Sequence, residues 1–332
     1  MKFYIADAFT SVEFSGHTSA VVIPKRKNFL PTEVMMKTAD ELRYSVSVFA
    51  IPSQERPPKG YDGIWEARYF SVNEEREFCS FATVALFQSL MDAGLAWPGK
   101  TYQLRTTERK IPVTIESGII MMDIDDPTLE EVIGEDEKIA KIYQALGLNY
   151  YQEKQIFEIL GQGALTPEVI CSGSSKNITI PVATTEELNG IKPDYDKVAE
   201  LCTKYDAFGF HVFALDMNKE KSGDKAVTYI HVRNFSPLHG DYEEAAAGVA
   251  NCELAFYLTE HKLIRKPDYR DKKDKTYITC IQGEVIGRTS KVYVEVTSMG
   301  EEYIDGDPNI KVRIGGRGVV LVDGNIDISN YL

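Results

Sequence analysis

FCSFATVALFQSL at residues 78–90 and AAGVANCELAFYL at residues 246–258 decide the fold. Set in register, the two stretches match. Each starts with small residues, continues as an unbroken apolar body, and follows a charged run, NEERE at 73–77 and GDYEE at 240–244. A helix that is apolar nearly all round must be buried, because it has no face to offer water. Its buried amino terminus still carries amide N–H groups in need of partners, and the helix dipole adds positive potential there. Two such helices in a chain of 332 residues predict an internal duplication. The expected fold class is α+β, with two similar lobes. The lobes are expected at residues 1–164, with the helix at about 79–93, and 165–332, with the helix at about 248–262. If the lobes face each other, the two helix starts make an N–H-rich cleft suited to a carboxylate. On these two segments alone, a pair of ordinary core helices with ordinary caps is the simpler reading.

The flanking segments fit the same scheme. KFYIADAF alternates as a strand does, TSAVVIP is a Val-rich run, and a helix opens at Pro31 and Thr32. SVSVFAIP and IWEARYFSV read as strands, and TYQLRTT, KIPVTIE and GIIMMDID as three short strands in hairpin-like succession. DDPTLEEVIGEDEKIAKIYQAL is acidic, then helical. In the second half, TPEVICSGSSKNITIPV holds a strand, a small-residue turn and another strand. TTEELNGIKPDYDKVAELCTKY reads as helix with Thr184 and Thr185 as cap candidates. FGFHVFALDM and AVTYIHVRNFSP are strands around a polar loop, NKEKSGDK, and HGDYEEAAAG is a loop that opens the second apolar helix. Three closing strands follow from Thr276 onward.

Composition narrows the function classes. Apolar residues at 43% and charged residues at 26% describe an ordinary globular protein. The net charge of −13 argues against nucleic acid or an anionic membrane surface as the partner, although a local pocket can still be positive. No apolar run is long enough to span a membrane, and the start lacks a signal-peptide pattern, so a cytoplasmic protein is expected. The five cysteines form no CxxC and the five histidines no HxH or HExxH, which predicts neither a disulfide framework nor a metal site.

The order of the motifs carries a resemblance. ADAFTSVEFSGHTSAVV, LRYSVSVFAIP and ARYFSVNEEREFCSFATVAL are followed by CSGSSKNITIPV, HVRNFSPLHGDYEEAAAGVANCELAFYL, CIQGEVIGRTSKVYVEV and VRIGGRGVVL. Together, from Phe3 to about Val320, they resemble the PhzF-like (phenazine biosynthesis-like) family. The resemblance implies the two-lobed diaminopimelate epimerase-like fold, each lobe a curved mixed sheet wrapped around a central buried helix and the last residues crossing back to the first lobe, together with a cofactor-independent isomerase or epimerase and a homodimer. It also exposes departures. The family's catalytic Glu falls at Val46, its Gly-His pair at Ser80 and Phe81, its Asp at Glu244, its Ser at Val249 and its Asn at His17. The two-thiol racemase arrangement is absent: Cys79 stands at the first helix, and Ala247 takes the matching place on the second.

These comparisons nominate catalytic and binding residues. Glu244, before the second helix, is a candidate acid or base if burial raises its pKa, and a helix cap otherwise. Cys79 could be a thiolate favoured by helix amides, or a small structural Cys. His17, in the turn SGHT, has a range suited to proton transfer, or is a structural turn residue; His239 is a weaker candidate of the same kind. Ser80, Phe81, Val46, Ala247, Gly248 and Val249 are expected to line the site, with the amides after Gly248 as the anion anchor. Gly173 and Ser174 form a small-residue turn able to offer backbone donors. Gln282, Gly283, Gly287 and Arg288 match a family motif, and Arg288 could pair with a carboxylate or sit in a structural ion pair. His211 and His231 read as packed or exposed strand residues, and His261 as solvated at a helix end.

The expected function is therefore proton movement or rearrangement on a small carboxylate-bearing metabolite, in biosynthesis, with no cofactor. Two alternatives stay open. One is a repurposed cyclase-type enzyme of specialised metabolism, whose pocket is lined by Val46, Phe81 and Val249. The other is a metabolite-binding homologue that has lost the chemistry.

Overall fold

The computed structural model describes residues 1–24, 28–163, 165–222, 225–239, 241–300 and 309–327. The chain divides into two compact units, Met1–Asp123 with Gly315–Leu332, and Ile124–Ile314. The first contains β1 (Lys2–Ala8), β2 (His17–Ile23), α1 (Thr32–Leu42), β3 (Ser47–Pro52), β4 (Gly63–Phe70), β5 (Glu75–Arg76), α2 (Ser80–Asp92), β6 (Thr101–Arg105), β7 (Lys110–Glu116) and β8 (Ile119–Asp123). The second contains β9 (Thr128–Val132), α3 (Asp136–Ala145), α4 (Tyr150–Ile159), β10 (Glu168–Ser172), β11 (Ser175–Val182), α5 (Thr185–Gly190), α6 (Tyr195–Lys204), β12 (Gly209–Ala214), β13 (Asn218–Ser222), β14 (Lys225–Ser236), β15 (Asp241–Glu244), α7 (Gly248–Glu260), β16 (Thr276–Gln282) and β17 (Ser290–Ser298). Then come β18 (Ile310–Gly316) and β19 (Gly318–Asn325), the latter in the first unit.

Strand pairing displays the duplication. In the first unit β1 pairs antiparallel with β2, β2 parallel with β3, β3 antiparallel with β4, β4 parallel with β6, and β6 antiparallel with β7. In the second, β10, β11, β12, β14, β16 and β17 repeat that alternation step for step. Each parallel step needs a crossover, because a tight turn can only reverse the chain. The crossovers match too. α1 bridges β2 to β3 where α5 and α6 bridge β11 to β12, and α2 bridges β4 to β6 where α7 bridges β14 to β16. An added antiparallel strand closes the outer edge of each sheet, β19 on β1 and β9 on β10.

The two apolar helices behave as their composition requires. α2 packs on β1, β2 and β19, and α7 on β10, β11 and β17. Leu86, Phe87 and Leu90 of α2, and Leu254, Phe256 and Leu258 of α7, are fully buried. Each such side chain contributes about 1.5–3 kcal/mol relative to exposure. Smaller cores lie beneath the crossovers. Met35 and Ala39 of α1 pack with Val22, Phe49 and Phe70. Ile139, Tyr143 and Val198 of α3 and α6 pack with Phe210 and Val212 of β12.

Several local expectations change. The lobe boundary expected at 164/165 falls inside the second unit, between α4 and β10; Ala164 itself is outside the described residues. The acidic stretch before α3 supplies β9, which pairs with β10, and this pairing starts the second unit at Ile124. The polar loop after β12 is a hairpin instead, with Asn218 opposite Tyr229 and Ser222 opposite Lys225, and its tip outside the described residues. The single helix expected over 184–205 is two helices. Pro193 offers no N–H between them. Thr184 opens α5 with a capping box to Glu187, and Asp194 caps α6 through the Lys197 amide. Thr185 is not the cap; its hydroxyl donates to Asp216 at 2.8 Å. Part of the loop expected ahead of α7 is the short strand β15.

Candidate functional site

In each unit, candidate site residues gather at the start of the central helix. In the first unit, Cys79 precedes α2 in extended conformation (φ −147°, ψ 116°). Its carbonyl accepts the Thr83 amide at 3.0 Å and the Thr83 hydroxyl at 2.8 Å. Since that hydroxyl is already donating, the Tyr69 phenol 2.6 Å away is the donor to it. Burial keeps Tyr69 protonated far above the usual phenol range. Phe81 in the first helical turn stacks against His17, which opens β2.

The turn that delivers His17 is constrained from both sides. Gly16 has φ +66°, and a Cβ there would lie 2.1 Å from the Ala8 carbonyl oxygen. Glycine alone fits that approach. Beneath the turn, the buried Asp7 carboxylate accepts the Phe14 amide at 2.9 Å and the Thr18 hydroxyl at 2.6 Å. Val46 is buried just before β3, and its carbonyl accepts the Ser19 hydroxyl at 2.7 Å.

In the second unit, β15 aims two neighbouring glutamates in different ways. Glu243 meets Arg233 in a two-bond pair, 2.8 Å from Nε and 2.7 Å from Nη2, with both side chains nearly fully buried. The Arg233 guanidinium also donates to the carbonyls of Leu188 and Ile191, so the pair is held on every side. Glu244 lies opposite Asn234 of β14. Its carboxylate, half-buried, accepts the Ser236 hydroxyl at 2.9 Å.

The segment from Glu244 to the helix is pinned by one amide side chain. Gln282 Nε2 donates to the Glu244 carbonyl at 2.8 Å, and Gln282 Oε1 accepts the Ala247 amide at 3.1 Å. Ser290 Oγ donates to the Ala245 carbonyl at 2.6 Å. Ala247 and Gly248 are buried, and Val249 is half-buried in the first turn. Neither N-cap residue, Cys79 or Ala247, supplies a side-chain cap to its helix, where Ser, Thr, Asp or Asn is the usual choice.

The other nominated residues lie in turns and at a helix end. Gly173 and Ser174 are the exposed two-residue tip of the β10–β11 hairpin, with Ser172 opposite Ser175 and Gly173 at φ +61°. Positive φ at the first tip residue is what such a hairpin asks of glycine. Arg288 is half-buried, and its amide donates to the Gly283 carbonyl at 2.9 Å, closing the turn between β16 and β17. His239 stacks on Phe208, with ring centroids 3.8 Å apart. His261 departs from its expected solvated state: its Nε2 lies 2.9 Å from the buried Glu168 carboxylate. His231 is 2.6 Å from Glu284.

Sequence reasoning passed over Ser236, Asn234, Asn251 and Glu253, and read His211 only as a strand residue. Ser236 is the donor to Glu244. His211, Asn234 and Asn251 are buried polar residues behind the α7 start, and Glu253 is a fully buried carboxyl on α7 itself. Asn251 and Glu253 were visible as polar breaks in an otherwise apolar helix. Burial raises Glu253 to about 8, although Asn177 Nδ2 donates to it at 2.8 Å. Among the described residues, no three His, Cys, Asp or Glu side chains group so as to hold a metal ion, and no helix is long and apolar enough to cross a membrane.

The comparisons with known proteins follow the same lines. An uncharacterised isomerase of Clostridium acetobutylicum is 27% identical over 96% of this chain and 95% of its own. The trans-2,3-dihydro-3-hydroxyanthranilate isomerase of Pseudomonas aeruginosa is 24% identical over 97% of this chain and 98% of its own. The crystal structure of a PhzF-family phenazine biosynthesis protein from Bacillus anthracis superimposes with a TM-score of 0.74 at 19% identity, covering 99% of each chain. That likeness shows the fold, an α+β architecture of two similar units. The pattern of the family described as phenazine biosynthesis-like protein matches residues 6–324, and the chain belongs to that family.

Proposed function

We propose that this protein is a cofactor-independent isomerase or epimerase that moves a proton on a small carboxylate-bearing metabolite. Glu244 is the principal acid and base, and His17 or Cys79 is its partner. One observation carries the reading. Glu244 is held at the start of α7 with its carboxylate on the Ser236 hydroxyl and its own carbonyl on Gln282, while the neighbouring Glu243 is spent on Arg233.

The chemistry follows from those positions. The amides of the first turn of α7 hold the substrate carboxylate, where N–H groups and the helix dipole favour negative charge. Glu244 takes a proton from the adjacent carbon. Charge that develops on the carboxylate oxygens is stabilised by the same amides, which are already oriented when the bond breaks. Return of a proton, by Glu244 to a different carbon or by the partner group to the opposite face, completes an isomerisation or an epimerisation. The name of the Pseudomonas aeruginosa relative, an isomerase of a carboxylate-bearing ring, supports this substrate class. A cytoplasmic homodimer belongs to the same reading.

The test uses the purified chain in D2O with a panel of L- and D-amino acids and trans-2,3-dihydro-3-hydroxyanthranilate. Deuterium entering carbon of a panel member, and losing at least a hundredfold in rate on Glu244→Gln, is the expected result. Incorporation unchanged by Glu244→Gln would remove Glu244 from the mechanism.

One observation favours a second reading. The buried Val46 and the stacked Phe81 stand where the family's ionisable residues would be. An apolar pocket that folds a reactive substrate for cyclisation would need little acid–base work. In that case Glu244→Gln is mild and Ala247→Leu, which fills space at the helix start, is damaging.

A further inference from the structure

Behind the α7 start lies a chain of buried polar side chains drawn from four elements: His211 on β12, Asn234 on β14, Asn251 on α7 and Gln282 on β16. All four are almost completely shielded from water. Such groups lower stability unless each donor meets an acceptor, so the direction of every bond can be worked out.

The backbone fixes one end. Gln282 Oε1 faces the Ala247 N–H and its Nε2 faces the Glu244 carbonyl, which sets that amide's orientation. Asn251 lies 2.9 Å from the Ala247 carbonyl and 3.4 Å from Gln282 Oε1, both acceptors. Its Nδ2 must face them, so its Oδ1 faces the other way. Asn251 is the side chain that acts on the His211 ring, and His211 Nε2 and Asn251 Oδ1 are both buried with no other hydrogen-bond partner among the described residues, so the two are paired with each other. An Oδ1 can only accept, so the ring must donate from Nε2. The Asn234 side chain is 3.3 Å from His211 Nδ1 and presents its amino group there. That nitrogen is therefore an acceptor, and the ring is neutral. Burial independently lowers the ring to about 4, well under neutral pH.

We propose that His211, as the neutral Nε2–H tautomer, is a positioning residue: through Asn251 and Gln282 it fixes the backbone of Glu244–Ala247, and with it the Glu244 carboxylate. The bonds all run in one sense, from Asn234 to His211, to Asn251, to Gln282 and on to the Glu244 carbonyl. Apolar side chains of similar size would fill the same space without the demand for complete pairing. The polar chain spends its final bonds on the four-residue segment that brings Glu244 to α7. The inference rests on the proposed role of Glu244 for its catalytic meaning, and on bond directions alone for its geometry.

The test uses the full-length protein, labelled with 15N. In long-range 1H–15N spectra at pH 7, His211 is expected as the Nε2–H tautomer. Amide hydrogen exchange at Ala247 is expected to speed up at least tenfold in His211→Leu and in Asn251→Leu, while Leu254 to Leu258 keep their protection. His211→Gln, which retains a donor at similar reach, is expected to restore the Ala247 protection. A role in packing alone would not favour Gln over Leu. An Nδ1–H ring or an imidazolium at pH 7, or unchanged Ala247 exchange in the two Leu variants, overturns the proposal. If those variants do not fold, the tautomer in the unaltered protein decides. Deuterium incorporation that survives Glu244→Gln would sink the acid–base reading while leaving the tautomer and the Ala247 protection as measured, so the two failures are distinguishable.

Discussion

The imidazole of His17 lies flat on the ring of Phe81, with centroids 3.7 Å apart and planes 4° from parallel. The contact joins the constrained turn after β1 to the first turn of α2, so two sequence-distant features of the first unit become one surface. Both side chains are largely buried, and the stack removes one face of each from water. Phe81→Ala is expected to lower stability by about 3 kcal/mol, as an aromatic deletion in a packed site does. A double-mutant cycle of His17→Leu with Phe81→Leu, followed by urea unfolding, is expected to give a coupling of about 0.5–1.5 kcal/mol. Strict additivity would mean that the stack contributes nothing beyond burial.

Glu243 and Glu244 are adjacent and are expected to fail differently. Glu243→Ala leaves the Arg233 guanidinium buried without its carboxylate, which costs about 3–5 kcal/mol. Glu244→Gln keeps an acceptor for Ser236 on a half-buried side chain, so its stability is expected to move by no more than about 0.5 kcal/mol. Activity reverses the ranking. Loss of the proton-transferring group is expected to slow deuterium incorporation by about 10²–10⁴-fold. Urea midpoints and exchange rates measured on the same two variants separate the roles.

The central helices, the duplication and the family were legible because each rests on local signals: apolar residues on all faces, small residues at the first turn, motifs in order. The Glu244 position was legible for the same reason. The elements that escaped are those whose stability comes from partners far along the chain. β15 has no alternation of its own; it is a strand because Asn234 and Ser236 of β14 pair with it. β9 is acidic and largely exposed, and β10 makes it a strand. His211 looks like any strand histidine, and nothing near it in sequence announces that Asn251, in the first turn of α7, acts on its ring. His17 was nominated as an isolated turn residue, and only the three-dimensional structure puts Phe81 against it.

Gly16 offers a backbone test of the turn that carries His17. Gly16→Ala meets two separate penalties, the left-handed φ of +66° and a contact with the Ala8 carbonyl oxygen at 2.1 Å. Gly94 shares the backbone conformation, at φ +69°, but a Cβ there meets nothing within 4 Å. Gly94→Ala is therefore expected to cost about 1 kcal/mol from backbone strain alone. Gly16→Ala is expected to exceed it by at least about 1 kcal/mol, because the clashing atom is backbone and cannot swing aside. Equal urea midpoints for the two variants would show that the β1–β2 turn relaxes freely and does not hold His17 in place.

Glu253 makes a prediction about pH whose sign is fixed by its burial. Its carboxyl is fully enclosed on α7, with Asn177 as donor to one oxygen and no partner for the other among the described residues. Burial raises it to about 8, against an ordinary value of about 4.5 in the unfolded chain. Between those values the folded protein holds a proton that the unfolded chain has released. Stability contributed by this group is thus complete below about pH 4.5, falls as pH rises, and levels off above about pH 8. The span corresponds to an upper bound of about 5 kcal/mol. Glu153, raised to about 7 by burial and by the nearby Glu187, adds a slope of the same sign. His211, lowered to about 4, acts oppositely: its contribution is present above about pH 6.5 and is lost as pH falls toward 4. Glu253→Gln removes only the first of these. It mimics the protonated carboxyl, so it is expected to be near neutral at pH 5 and stabilising at pH 8. Urea unfolding of the variant and the unaltered protein across pH 4.5–8.5 measures the difference; a gap that does not widen with pH would mean that Glu253 titrates in the native state as it does in the unfolded chain.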